Sequence, residues 1–94
     1  MSADGPLKVS AKSNPNAVAG ALAAALRERE TAELQAVGAG AINQAIKAVA
    51  IARNYLKPSD VDLVCVPSFI TVAIGDTERT GISLHIERKG LRKE

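Results

Sequence analysis

The stretch QAVGAGAINQAIKAVAIARNYL, residues 35–56, constrains this chain's fold most, because a helix this apolar must be covered on more than one side. It opens on two glycines, and Lys47 and Arg53 are its only charges. At about 100° per residue, Asn43, Lys47, Ala50 and Asn54 fall in one narrow stripe. Ile42, Ala45, Ile46, Val49, Ala52 and Leu56 form a broad face suited to a sheet, and Ala48, Ile51 and Tyr55 form a further apolar flank. One sheet contact needs an apolar stripe little more than 100° wide, and this helix offers roughly twice that. The excess must meet the first helix of the same chain or a second copy of the chain. Ile51 and Tyr55 are large for a flank facing water, which favours a homodimer with Ala48, Ile51 and Tyr55 at its interface.

The rest of the chain supplies the sheet. In LKVSAK, Leu7, Val9 and Ala11 alternate with Lys8, Ser10 and Lys12, the period of a half-buried strand. Asn14 is placed to cap a helix with Pro15 at its first position, and Val18, Leu22, Ala25 and Leu26 repeat at helical spacing to an end near Glu30. TAELQAVG alternates again. The second helix then runs from about Ala41 to Leu56 and stops before Pro58. Strand residues flank Pro67, where proline argues for an edge or a bend. DTER forms a loop, and the last strand points Ile82, Leu84 and Ile86 inward and Ser83, His85 and Glu87 outward. The order is βαβαββ: an α+β domain with two helices on one face of a four-stranded mixed sheet, since strand–helix–strand units cross over right-handedly. The domain spans residues 7–88, between a disordered start, 1–6, and a basic tail, 89–94.

Composition narrows the function classes. Apolar residues make up 47% of 94, enough for a core without disulfide or metal, and Tyr55 and Phe69 are the only aromatics. Phe69 is assigned to that core, and Cys65, the sole cysteine, to a buried inert thiol. Net charge is +2, too slight to declare a nucleic-acid partner alone. The start MSADGPLKV lacks the basic opening and apolar core of a signal peptide, and no run approaches the roughly 18 apolar residues of a membrane span. A cytoplasmic chain with no membrane partner is expected. His85, the only histidine, has no partner nucleophile at a meaningful spacing, and no set of residues has metal-ligand spacing. No enzyme, cofactor or metal is expected.

Two features point to an anion. Gly38 and Gly40 open like a dinucleotide fingerprint, but Asn43 stands where the third glycine belongs, so a tight strand-to-helix turn is the better reading. In a right-handed βαβ arrangement, however, both helices begin at the same end of the sheet. AKSNPN and GAGAINQ then lie side by side and expose main-chain amides. Lys12 adds charge, Ser13, Asn14, Asn43 and Gln44 add hydrogen-bonding groups, and Gly40 admits close approach of a phosphate.

LKVSAKSNPNAVAGALA, LRERE, AELQAVGAGAINQAIKAVAIAR and DLVCVPSF closely resemble the bacterial stage V sporulation protein S family, over residues 7–88. That resemblance implies a non-enzymatic role in spore development and its regulation, although related proteins occur in bacteria that do not sporulate. A more distant likeness, clearest in AINQAIKAVAIARNYL, is to the Alba family of chromatin and RNA-binding proteins. It implies an Alba-like fold, a dimer, and binding of DNA or RNA through the two strand-to-helix loops and the final hairpin. On that pattern Lys12 matches a lysine of the first loop, and Arg79 lies in the hairpin loop GDTERTG. The second loop departs: Alba carries arginines where this chain has Gly38, Ala39 and Gly40. The expectation is a regulatory protein that binds phosphate backbones, with low sequence specificity, through Lys12, Ser13, Asn14, Gly40, Asn43, Gln44 and Arg79. The alternatives are a protein-interaction module in a developmental pathway and a site for a small phosphorylated ligand at the glycine turn.

Overall fold

Asn14 sets the start of the first helix as its residue type predicts. In the computed structural model, which describes residues 5–90, its Oδ1 accepts from the amides of Asn16 at 2.8 Å and Ala17 at 3.4 Å. Helix α1, Pro15–Glu28, then buries Ala19, Leu22, Ala23 and Leu26 along one stripe. Helix α2, Ala39–Leu56, buries Ala41, Ala45, Ala48, Val49, Ala52 and Leu56. Alanines on both contact faces let the two helices pack backbone to backbone.

Four strands complete the order βαβαββ: β1 (Leu7–Val9), β2 (Thr31–Ala36), β3 (Val61–Ile74) and β4 (Thr77–Gly90). They form one mixed sheet in the order β1-β2-β4-β3, with β1 and β2 parallel and the other neighbours antiparallel. Val9, Leu34, Ala36, Leu63, Leu84 and Ile86 of the sheet join the helix residues in one core. The α+β class and the two-helix, four-stranded mixed sheet are as the sequence predicts. From the last turn of α2, Arg53 forks onto the Asp62 carboxylate, with Nε at 2.6 Å, and fastens the helix end to the start of β3.

Several details differ from the sequence reading. The first strand ends at Val9, because Ser10 and Ser13 close a turn: the Ser13 amide donates to the Ser10 carbonyl at 3.0 Å, and the Ser10 amide donates to Ser13 Oγ at 2.9 Å. The final hairpin turns on Gly75 and Asp76 alone, with Gly75 at φ 61°, where glycine meets no steric cost, so DTER is mostly strand. Arg79 lies in β4, opposite Val72, and not in a loop. Lys89 and Gly90, expected to open a tail, continue β4, while residues 1–4 of the expected disordered start and 91–94 of the tail lie outside the described residues.

The largest corrections concern burial. Phe69 is 80% exposed, not core, because β3 is an edge strand that runs on past the body of the sheet: β4 pairs with β2 only over residues 82–87. Cys65 is half-buried on the same edge. Ile46, assigned to the sheet face, is 49% exposed, whereas Ala48 is fully buried and Ile51 partly so. The apolar flank of α2 is thus largely covered by the chain itself. Ala48 has no surface left for a second copy, and Tyr55, 43% exposed, is the flank residue that keeps one.

Candidate nucleic-acid interface

Because β1 and β2 are parallel neighbours, the helices that follow them begin at the same rim. The approach is close. A Cβ built on Gly40 would lie 3.0 Å from the Ala11 Cβ, so the second helix rests on the loop leading to the first. Gln44 Nε2 donates to the Ser13 carbonyl at 2.9 Å and ties the same two segments. Lys12, exposed, stands between Ala11 and Ser13.

The two helix starts differ in their capping. Asn14 satisfies amides at the start of α1, but α2 begins after Gly38, at φ 94°, with no side-chain cap. The first amides of a helix have no intrahelical acceptor, so those at the exposed Ala39 and Gly40 point outward beside Lys12. They carry the positive end of the helix dipole. Asn43, exposed in the same first turn, adds an amide side chain.

The structure therefore divides the seven residues read from the sequence. Lys12, Gly40 and Asn43 present groups to solvent at the rim. Ser13, Asn14 and Gln44 hold the rim's shape, since Ser13 Oγ, Asn14 Oδ1 and Gln44 Nε2 serve internal bonds. Arg79 lies on the hairpin beyond the same rim, because β4 runs antiparallel to β2 and Ile82 faces Ala36 at the end of β2. Arg79 shares a sheet face with Val72, and Val72 borders a shallow recess with Lys8, Val9, Ser10, Ala11, Gln35 and Val37. Val72 of the hairpin thus shares that recess with Ser10 and Ala11 of the loop that carries Lys12. Gly38 and Ala11, outside those seven, also shape the rim. A glycine standing where helix starts usually carry Ser, Thr, Asp or Asn was the signal for Gly38, and nothing in the sequence marked Ala11.

A second polar cluster lies on the helix-free face. Ser83 is buried and donates to Glu33 Oε2 at 2.6 Å, and Gln35 Nε2 donates to the same oxygen at 3.0 Å. These bonds, Ser83 first, hold the Glu33 carboxyl below its ordinary value, against the opposing effect of burial. His85 Nε2 is 3.1 Å from Glu87 Oε2 in the open. Asp62 is likewise lowered, by Arg53 and then by the Leu63 amide, and burial pushes the Cys65 thiol up. Among the described residues no group of three or more His, Cys, Asp or Glu could hold a metal ion, and no helix is long and apolar enough to cross a membrane.

The fold and rim define a small α+β domain of βαβαββ order whose helix starts converge beside a basic loop. A model of the stage V sporulation protein S family matches residues 5–89, and the chain belongs to that family, as its motifs led one to expect. The family is not known as one of enzymes.

Proposed function

We propose that this chain is a regulatory protein that binds DNA or RNA through the phosphate backbone, as a dimer, without enzymatic chemistry. One observation carries the reading: the uncapped start of α2 rests on the loop of Lys12, with Gly40 closing on Ala11. Outward amides beside a lysine suit a phosphate oxygen, while the space of Gly40's missing Cβ is taken up by Ala11. The distant likeness to Alba proteins supports the same use of this rim. Lys12 and Arg79 supply charge, the Ala39 and Gly40 amides and Asn43 supply hydrogen bonds, and Ser13, Asn14 and Gln44 keep the amides aimed.

Contacts of this kind position a protein without reading bases, so low sequence specificity follows. With glycine and alanine where Alba carries arginines, few phosphates are neutralised and the salt dependence is shallow. A titration of labelled duplex DNA and of single-stranded RNA, repeated at rising salt, tests the reading. Binding that weakens gently with salt and is alike across sequences is the expected result. Absence of binding at the lowest salt overturns it and transfers the rim to the protein-interaction reading.

A further inference from the structure

Strand β3 is an edge strand, hydrogen-bonded among the described residues to β4 alone. Over residues 63–74, LVCVPSFITVAI, it carries no charge. Among the described residues six large hydrophobics stand out as exposed, and four are on this strand: Val64 at 40%, Val66 at 58%, Phe69 at 80% and Ile74 at 50%. They occupy both faces. Phe69 pairs with Ile82 on the helix side, whereas Val64 and Val66 pair with Glu87 and His85 on the other.

Proteins blunt free sheet edges with charge, bulges, proline or shortness, because an unpaired edge recruits other strands. The opposite edge of this sheet is managed in that way: β1 has three residues, with Lys8 in the middle. The β3 edge has fourteen residues and only Pro67 to interrupt it. One edge is closed to pairing and the other is left open.

We propose that β3 is the seam of the dimer, pairing edge to edge and antiparallel with β3 of a second copy. The inference rests on the dimer of the reading above and not on its nucleic-acid contacts. An occupant of this edge must be uncharged for about ten residues and apolar on both faces, and among the described strands β3 alone has that composition. Antiparallel pairing of identical strands is its own complement about a two-fold axis. With no charge in residues 63–74, no like charges meet across the seam at any register within that run. Pro67 removes one donor from each strand, and its missing amide suits the outward side of an edge. A seam centred on the exposed run from Val64 to Ile74 puts its two-fold axis near Phe69. Once the seam forms, the free edges are the two short β1 strands, so assembly stops at two chains.

The test is the mass of the full chain in solution, measured by sedimentation without nucleic acid, for wild type, Val66→Lys, Phe69→Lys and Tyr55→Lys. Wild type and Tyr55→Lys should sediment as two chains. Each β3 variant should raise the dimer dissociation constant by about 100-fold or more, since it brings like charges together at the seam. A one-chain wild type overturns the seam and the dimer reading together. A dimer that Tyr55→Lys splits and the β3 variants do not overturns the seam and leaves the dimer standing. Should a lysine variant fail to fold, Ser68→Cys combined with Cys65→Ser gives the same decision through a nitroxide label. At about 3.4 Å per residue along paired strands, the labels should lie within roughly 30 Å of each other, and distances well above that overturn the seam.

Discussion

Gln44 Nε2 reaches the Ser13 carbonyl at 2.9 Å, across thirty-one positions of sequence, and fixes the start of α2 against the loop that starts α1. The bond is part-buried, so its loss leaves a carbonyl only partly hydrated. Gln44→Ala is expected to cost about 0.5–1.5 kcal/mol, the net value of one such hydrogen bond, in the urea unfolding free energy. A variant as stable as wild type would show that the Gly40–Ala11 contact suffices to hold the rim.

Gly81 is where the hairpin leaves the sheet. A Cβ there would lie 2.8 Å from the Ala36 carbonyl oxygen and 2.9 Å from Val37 Cγ2. The oxygen belongs to the backbone at the end of β2 and cannot yield cheaply. Gly81→Ala should destabilise the fold by about 1–3 kcal/mol, the usual cost of overpacking, although alanine otherwise suits a strand better than glycine. Thermal unfolding measures the loss. Gly20→Ala, in the middle of α1 with open space around its Cβ, should instead match or exceed wild type.

These two glycines show what a sequence exposes and what it hides. Element order and the inward residues of the last strand were legible because period and capping are local: Asn14 caps α1 as its type predicts, and Ile82, Leu84 and Ile86 face the helices. Burial at the margins was not. Phe69 looks like core by composition, yet its neighbour across the strand pair, Ile82, sits at the last rung shared with β2, and past that rung the hairpin has no third strand to cover it. Helix α2 shows the same limit. Its wheel gives the width of the apolar face but not its rotation, and the packing of α1 turned Ala48 inward and Ile46 outward. At the rim, the convergence of Lys12 and Gly40 followed from topology, whereas the internal duties of Ser13 and Gln44 depend on distances no spacing encodes.

The Glu33 carboxyl is held below its ordinary value near 4.5, chiefly by Ser83 and then by Gln35. A carboxylate lowered in the folded state stabilises the fold above its unfolded pKa, and that contribution is lost as pH falls through the folded value. Ser83→Ala removes the largest cause. The stability gap between wild type and Ser83→Ala should therefore be widest at neutral pH and narrow as pH falls below about 4.5, as the unfolded glutamate begins to titrate. Urea midpoints of both proteins across that range check it. A gap that does not change with pH would assign the cost to lost packing and not to the carboxylate.

Lys12 and Arg79 occupy different supports, one on a four-residue turn braced by Ser10 and Ser13, the other on a hairpin that extends past the sheet. If both meet phosphates, each neutralises about one, and removing either should weaken binding to all sequences alike and lower the salt slope by about one unit. The supports predict a difference beyond that. The turn of Lys12 is pinned to α2 through Ala11 and Ser13, so its charge acts together with the Ala39 and Gly40 amides. Lys12→Ala should therefore lose more affinity than Arg79→Ala at equal change in slope. Gln44→Ala, which leaves every charge in place, should weaken binding with the slope unchanged, because it alters aim and not charge. Fluorescence titrations of the three variants at four salt concentrations separate these outcomes. An affinity untouched by Lys12→Ala at low salt would remove the phosphate contact from this rim.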